Sequence, residues 1–192
     1  MLENKSVKEI ISLIKKKDVS VKEIVGLYFE RIKKFKGAIG RLEPVTLNKL
    51  KIFIDYAHTP DALEKSLKAI ICEYINHKII LVFGCGGNRD IGKRSKMGSI
   101  AEKYSDFIIL TNDNPRYEMP TKIIGDIKKG IKSKDKVITI MNREKAIISG
   151  LKKLNKKSVI LIAGKGHEDY QEINGEKMPF SDHNVVKKFY RK

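Results

Sequence analysis

Residues 78–116, KIILVFGCGGNRDIGKRSKMGSIAEKYSDFIILTNDNPR, contain the clearest structural pattern in the sequence. It contains two short apolar runs, 79–83 and 106–110, which we predict to be strands, and a helical pattern at about 96–104 between them. Short apolar strands that alternate with helices indicate parallel pairing, because parallel neighbours need a crossover connection. This stretch alone therefore predicts a β-α-β unit.

The same alternation continues outward, from about residue 50 to the end of the chain. The further predicted strands are 51–56, 137–140 and 158–163, and the further predicted helices are 60–75, 120–131, 143–153 and 182–190. The sequence predicts an α/β, Rossmann-like domain at 38–192. Its sheet is expected to be mainly parallel, with about six strands and helices on both faces.

The first part of the chain has a different pattern, and we predict a short helical leader at 1–37. Ser20 and Glu23 have the spacing of a capping box, which begins a helix. Apolar residues recur at helical spacing after it, at Val21, Ile24, Val25, Tyr28 and Ile32. Together with the apolar group at 10–14, this indicates a helix–turn–helix-like pair.

The composition limits the classes of function. The formal net charge is +17, which raises the question of an anionic partner. Lysine is spread along the chain, without a basic region interleaved with aromatics, so solvated helix faces are favoured over a nucleic-acid partner. No apolar run is long enough to cross a bilayer, so no membrane partner is expected. Cys72 and Cys85 are expected to be free thiols in a reducing cytoplasm.

The loops after the predicted strands contain most of the unusual chemistry. Ligands of open parallel sheets bind beyond the carboxyl ends of the strands. The four segments in that position are DYAHTPDA (55–62), GCGGNRDIGKR (84–94), TNDNPR (111–116) and AGKGHEDYQ (163–171).

The glycine-rich segment is not a Walker A loop, because Lys93 is followed by Arg94 instead of Ser or Thr. Its glycines let the backbone approach a ligand closely, and Arg89 and Arg94 are candidates to hold an anion. A plain strand-to-helix turn is the alternative.

The TNDNPR segment has two interpretations. It could be an Asx-type turn in which Pro115 fixes the bend. Alternatively, Arg116 after the rigid proline is well placed to take a carboxylate with two N–H groups, and Asn114 can both donate and accept.

The segment at 164–171 suggests a metal site from His167, Glu168 and Asp169, but adjacent residues rarely point at one ion. We interpret it as a recognition loop in which Gly164 offers a backbone contact and Glu168 binds an ammonium group. No metal ligand is assigned.

Three residues near the first predicted strand complete the set of candidate site residues. Asp55 and His58 flank its end, and Arg41 lies in a connecting segment before it. No Ser or Cys completes a hydrolase triad, so no catalytic residue is assigned. Arginines and a glutamate at one edge of a sheet suit an amino acid with more than one charged end.

Five motifs, in order along the chain, carry a resemblance to a known family: GRLEPV (40–45), DYAHTPDALEKSL (55–67), FGCGGNRDIGKR (83–94), DNPR (113–116) and GKGHEDYQ (164–171). About residues 38–192 resemble the C-terminal, amino-acid-binding domain of the Mur ligases. The intact DNPR motif is similar to that of the diaminopimelate-adding members.

The resemblance implies an activity in peptidoglycan precursor synthesis. In that reaction ATP, with Mg²⁺, phosphorylates the glutamate side chain of UDP-N-acetylmuramoyl-L-alanyl-D-glutamate. The amine of meso-diaminopimelate then attacks the acyl phosphate and expels phosphate. The implied amino-acid-binding residues are Arg89, Asp113, Asn114, Pro115, Arg116, Gly164 and Glu168. The implied nucleotide contacts are Arg41, Asp55 and His58.

The chain also differs from the family pattern in two respects, its phosphate loop and its first 36 residues. We expect the ATP-binding central domain to be absent, since no GK[ST] phosphate loop occurs in the 192 residues. The chain is then inactive as a ligase alone, binds no ATP with a phosphate loop of its own, and needs a separate ATP-binding domain as partner. Residues 1–36 resemble the N-terminus of the Glu-tRNA(Gln) amidotransferase A subunit. The alternatives are therefore a non-catalytic amino-acid-binding or partner-docking protein, and a component of tRNA-dependent amidation.

Overall fold

The structure is a computed structural model that describes residues 6–16, 19–24, 38–47 and 50–191. The chain divides into two compact units, Met1–Gly37 and Ala38–Lys192.

The first unit contains helix α1 (Val7–Lys15), which begins at a capping box between Ser6 and Glu9. The capping box predicted at Ser20 and Glu23 is confirmed. Ser20 N donates to Glu23 Oε2 at 2.8 Å, and Glu23 N donates to Ser20 Oγ at 3.2 Å. The predicted apolar positions Val25, Tyr28 and Ile32 lie outside the described residues.

The second unit consists of strands and helices in alternation. Its strands are β1 (Glu43–Leu47), β2 (Leu50–Asp55), β3 (Lys78–Phe83), β4 (Phe107–Leu110), β5 (Val137–Thr139), β6 (Ser158–Ala163), β7 (Tyr170–Ile173) and β8 (Glu176–Pro179). Its helices are α2 (Pro60–Glu73), α3 (Gly92–Tyr104), α4 (Pro120–Lys128), α5 (Arg143–Lys153) and α6 (Asp182–Tyr190), with a 3₁₀ helix at Lys134–Lys136.

Six strands form one sheet in the order β1-β2-β6-β3-β4-β5. Only the edge strand β1 runs antiparallel within it, paired with β2, and the other pairs are parallel. The predicted α/β fold with a mainly parallel sheet of about six strands is confirmed. In the central strands β3 and β6 nearly every residue is buried, as expected for strands covered on both faces.

The core lies on both sides of this sheet. One cluster packs α2, α3 and α4 against one face, through residues such as Leu67, Met97 and Ile127. The other packs α5 and α6 against the opposite face, through Ile147 and Val186. The helices thus cover the faces and leave the carboxyl ends of the strands to their loops.

The structure also contains strands that were not predicted, namely β1 and the hairpin β7–β8. The connecting segment that contains Arg41 leads directly into β1, an edge strand that tolerates Pro44 because an edge residue needs no ladder donor on its outer side. The hairpin β7–β8 begins within the end of the GKGHEDYQ motif, at Tyr170, and turns at Asn174 and Gly175, which both have positive φ. An Asn-Gly pair is the strongest short-range signal for such a hairpin.

A buried ion pair joins the helices of one face to the sheet. Arg143 at the start of α5 and Asp182 at the start of α6 are both fully buried, and two hydrogen bonds of 2.8 Å connect them. Arg143 Nη2 also donates to the carbonyl of Ala163 at 3.0 Å. One guanidinium therefore fixes two helix starts and the end of β6.

We expect Asp182→Asn to lower the free energy of unfolding by about 3–5 kcal/mol, because it leaves the Arg143 charge buried without its counter-charge. Urea denaturation of both proteins measures the difference. Asp61→Asn is the matched control. It also removes an acid from the first turn of a helix, and its 2.8 Å pair with Lys65 is about three-quarters exposed. The control should cost less than about 1 kcal/mol. Similar losses in both variants would contradict the central role of the buried pair.

Candidate functional site

The loops after β2, β3, β4 and β6 meet at one edge of the sheet, where these four strands are neighbours. They enclose a cleft of about 460 Å³. It is lined by Tyr56, His58, Thr59, Gly86, Arg89, Asp90, Lys93, Asp113, Asn114, Arg116, Gly164 and Glu168. Most of the predicted site residues are thus brought together, whereas Arg41, Asp55 and Pro115 lie outside the lining.

The glycine-rich loop and the Asn-Pro-Arg loop pack backbone against backbone. Gly87 N donates to the carbonyl of Asn114 at 2.9 Å. A Cβ at Gly87 would collide with the carbonyl oxygen of Pro115. Pro115 is buried and serves this packing, and the two loops form one unit.

Arg94 corrects one expectation from the sequence, because the anions it holds are the protein's own carboxylates. Its side chain is fully buried and makes two hydrogen bonds, of 2.9 and 2.8 Å, to Glu118 and one of 3.1 Å to Asp126. The hydrogen bonds from Arg94 keep the pKa of Glu118 below its ordinary value. Since Glu118 follows the Asn-Pro-Arg loop, Arg94 clamps that loop to α3.

Arg116 is held in place by the β7–β8 hairpin. Its backbone has φ of 52°, and its N–H donates to the carbonyl of Glu172 at 3.0 Å. Its Nε lies 2.9 Å from Glu172 Oε2, and its Nη1 donates to the carbonyl of Gly87 at 2.9 Å. The guanidinium is therefore held through two of its three nitrogens, and it has further N–H donors besides these two contacts.

A buried lysine, which the sequence interpretation missed, organises the base of the cleft. The Lys165 side chain has no exposed surface, and its Nζ lies 2.9 Å from Asn114 Oδ1 and 2.8 Å from Glu168 Oε2. Asn114 Nδ2 also donates to Glu168 Oε2, at 3.0 Å. One of the two carboxylate oxygens of Glu168 is thus already paired with an ammonium group of the protein itself, that of Lys165.

Lys165 also determines the charge of its neighbour. Burial raises the pKa of Glu168, but hydrogen bonds and charge from Lys165 outweigh it, with further help from Asn114 and Arg116. The net result is a pKa below the ordinary value, so Glu168 is a carboxylate at neutral pH. Burial, and then the charges of Glu168 and Asp113, raise the pKa of Tyr56, which stays a neutral phenol.

Gly164 occupies a position that only glycine fits. Its φ is 116°, and a Cβ there would collide with the carboxylate of Asp113. The backbone carbonyl of Asp113 accepts a hydrogen bond of 2.8 Å from Gln171 Nε2. The end of β6, the Asn-Pro-Arg loop and the hairpin are therefore in direct contact at this point.

The three predicted nucleotide contacts are placed differently from one another. Arg41 lies over the Tyr56 ring, 5.0 Å from its centroid, and the His58 ring lies 4.6 Å from the same ring. Both therefore flank Tyr56 at the edge of the cleft. Asp55 is buried, and its carboxylate accepts a hydrogen bond from Ser66. The structure does not bring Asp55 to the cleft, because that carboxylate anchors β2 to α2.

Within the described ranges there is no group of three or more His, Cys, Asp or Glu side chains that could hold a metal ion. The same ranges contain no helix long and apolar enough to cross a membrane.

A mainly parallel sheet with helices on both faces, and a charged cleft beyond the carboxyl ends of its strands, defines a Rossmann-like α/β domain. The sequence profile described as "Mur ligase, glutamate ligase domain" matches residues 40–166. The chain belongs to the Mur ligase family.

Two similar curated proteins are both named UDP-N-acetylmuramoyl-L-alanyl-D-glutamate--2,6-diaminopimelate ligase. The protein from Aquifex aeolicus is 55% identical over 148 residues, which cover 77% of this chain and 30% of that protein. The protein from Prochlorococcus marinus (strain MED4) is 42% identical over 189 residues, which cover 94% of this chain and 36% of that protein. The chain spans about a third of the length of these curated relatives.

The fold comparison agrees. A solved structure with the same name has a TM-score of 0.75 and 40% sequence identity, and the match covers 82% of this chain and 32% of that one. A Mycobacterium tuberculosis folylpolyglutamate synthase, 21% identical with a TM-score of 0.53, shares the fold. That match covers 67% of this chain and 30% of the synthase.

We expect Gly87→Ala to lower the free energy of unfolding by about 1–3 kcal/mol, because the added methyl group forces apart two packed loops. Gly125→Ala is the matched control. Gly125 lies within α4, where a Cβ meets nothing within 4 Å, so the same change should stabilise by roughly 0.5–1 kcal/mol. Thermal or urea unfolding of both variants measures the effects, and a loss confined to Gly125→Ala would refute the packing argument.

Proposed function

We propose that the cleft binds meso-diaminopimelate as the incoming amino acid of an ATP-dependent amide ligation in peptidoglycan precursor synthesis. In that reaction the amino acid is joined to UDP-N-acetylmuramoyl-L-alanyl-D-glutamate, and the second unit supplies the amino-acid-binding domain. The names of the relatives support the substrate, and the observation that carries the proposal is the set of charged side chains that line the cleft.

Both signs of charge line the same small volume. The cationic side chains are Arg89, Lys93 and Arg116, and carboxylates of Asp113 and Glu168 face the same cleft. A ligand with two carboxylates and two ammonium groups complements such a lining. A ligand with a single charge would leave several desolvated groups without partners.

Arg116 is the proposed recognition group for one carboxylate. Its Nε edge is held by Glu172, so the guanidinium keeps its orientation when the cleft is empty. A carboxylate can then take two parallel N–H groups, which is the strong form of this contact. Arg89 follows the rigid turn of the glycine-rich loop and is exposed, and we propose that it binds the other carboxylate.

The remaining parts of the reaction lie beyond this cleft. The 192 residues contain no GK[ST] phosphate loop, so we propose that ATP and Mg²⁺ are held mainly by a separate ATP-binding domain. Arg41 and His58, which flank Tyr56 at the edge of the cleft, are the proposed contacts of this chain to the nucleotide. The cytoplasm, where the nucleotide-linked substrate would be used, is the proposed compartment.

Calorimetric titration of the chain tests the substrate. We expect meso-diaminopimelate to bind at least about tenfold more tightly than L-lysine, which lacks the distal carboxylate. Arg116→Ala should weaken the binding of meso-diaminopimelate by about 2–5 kcal/mol, because it removes one partner of a desolvated charge pair.

Arg191→Ala is the control for lost positive charge, because Arg191 is exposed at the end of α6, and it should leave the dissociation constant unchanged. Equal affinity for the two amino acids would contradict the proposed substrate. Equal affinity of wild type and Arg116→Ala would contradict the role of the Asn-Pro-Arg loop.

A further inference from the structure

Lys165 differs from the other buried cations in what it connects. Arg94 and Arg143 tie helices and loops together through carboxylates far along the chain. Lys165 contacts instead two side chains that line the cleft, Asn114 and Glu168. A fully buried ammonium is costly unless it is well paired, so its retention at this position needs a reason.

We propose that Lys165 is a positioning residue for amino-acid recognition, which orients the Asn114 carboxamide and presents the Glu168 carboxylate to the ammonium group of the ligand. The inference rests on the proposed function, since it concerns the same cleft.

The orientation of Asn114 follows from its hydrogen bonds. Its Oδ1 accepts from Lys165 Nζ at 2.9 Å and from Glu172 N at 3.0 Å, which uses both acceptor sites of that oxygen. The amide group must then turn Nδ2 towards Glu168 and the cleft. Lys165 has only donors, so it excludes the flipped amide, in which two donors would face each other.

Glu168 is held from one side only. Both Lys165 Nζ and Asn114 Nδ2 contact Oε2, at 2.8 and 3.0 Å. This arrangement leaves Oε1 as the oxygen for an incoming ammonium group. The buried cation next to Oε2 also keeps the carboxylate ionised against the effect of burial.

The pH dependence of binding is the readout that a merely structural lysine would not change. The charged and titratable groups that act on Glu168 or respond to it are Lys165, Arg116, Arg143 and Tyr56, and Asp113 and Tyr170 act in turn on Tyr56. His58 and His167 also face this region, since their rings lie 4.6 and 5.2 Å from the Tyr56 ring. Without Lys165, burial dominates and the pKa of Glu168 rises, so binding should fail at a higher pH as the solution is acidified.

The test is calorimetric titration of the full chain with meso-diaminopimelate from about pH 3.5 to 8, a range that reaches below the ordinary glutamate pKa of about 4.3, with wild type, Lys165→Met and Lys165→Gln. We expect Lys165→Met to weaken binding about 10–100-fold at pH 7 and to move the acid limb upward by about one pH unit. Lys165→Gln can still donate to Asn114 and Glu168 but carries no charge. It should regain part of the affinity and keep the shifted acid limb.

Lys128→Met, at an exposed lysine in the last turn of α4, is the control and should match wild type. Unchanged affinity and an unchanged acid limb in both Lys165 variants would overturn the inference while leaving the proposed function intact. Loss of folding in both variants, seen by circular dichroism, would overturn it too, since Lys165 would then be a determinant of the fold. Absence of binding by wild type would instead overturn the proposed function.

Discussion

The buried pair of Arg143 and Asp182 is the constraint on which both the sheet and the site depend. Its guanidinium donates to the carbonyl of Ala163 at 3.0 Å, immediately before Gly164, and lies 3.4 Å from the carbonyl of Asn112, immediately before Asp113. Two site loops therefore leave the sheet from backbone atoms that one side chain holds. Because these carbonyls lie at strand ends, where ladder hydrogen bonds stop, a buried donor there prevents unsatisfied polar groups.

The buried cations of the domain share one feature, which is a carboxylate partner from the same protein. Arg94, Arg143 and Lys165 are each fully buried beside a carboxylate of the same protein. These pairs fix loops and helix starts with hydrogen bonds of defined direction, which apolar packing alone does not supply. At the cleft Arg89 is exposed, and Lys93 is half-buried with its Nζ 2.9 Å from the carbonyl of His58. In a chain with a formal charge of +17, burial and pairing, rather than residue type, distinguish the cations that hold the fold together from those at the cleft.

The sequence predicted the central strands well, because β3 and β6 are continuous apolar runs that only a doubly covered sheet explains. It also predicted that most of the cleft residues lie close together, since the loops after neighbouring parallel strands share one edge of the sheet. It could not assign Arg94, whose partners Glu118 and Asp126 follow 24 and 32 residues later. The same reason applies to Lys165, because its burial depends on Asn114, 51 residues earlier. The start of α3 was placed too late, since that helix has no side-chain cap to mark it.

The hairpin β7–β8 explains why the Asn-Pro-Arg loop can adopt a conformation that its sequence does not favour. An arginine at φ of 52° costs on the order of 1 kcal/mol relative to ordinary backbone geometry. The hairpin offsets that cost, because Arg116 N donates to the carbonyl of Glu172 and Asn174 N donates to the carbonyl of Arg116, at 3.0 and 2.8 Å. The Asn-Pro-Arg loop is thus attached to the edge of the two-stranded sheet that β7 and β8 form. A guanidinium held in this way would lose little conformational freedom on meeting a carboxylate, because its orientation is already fixed when the domain folds.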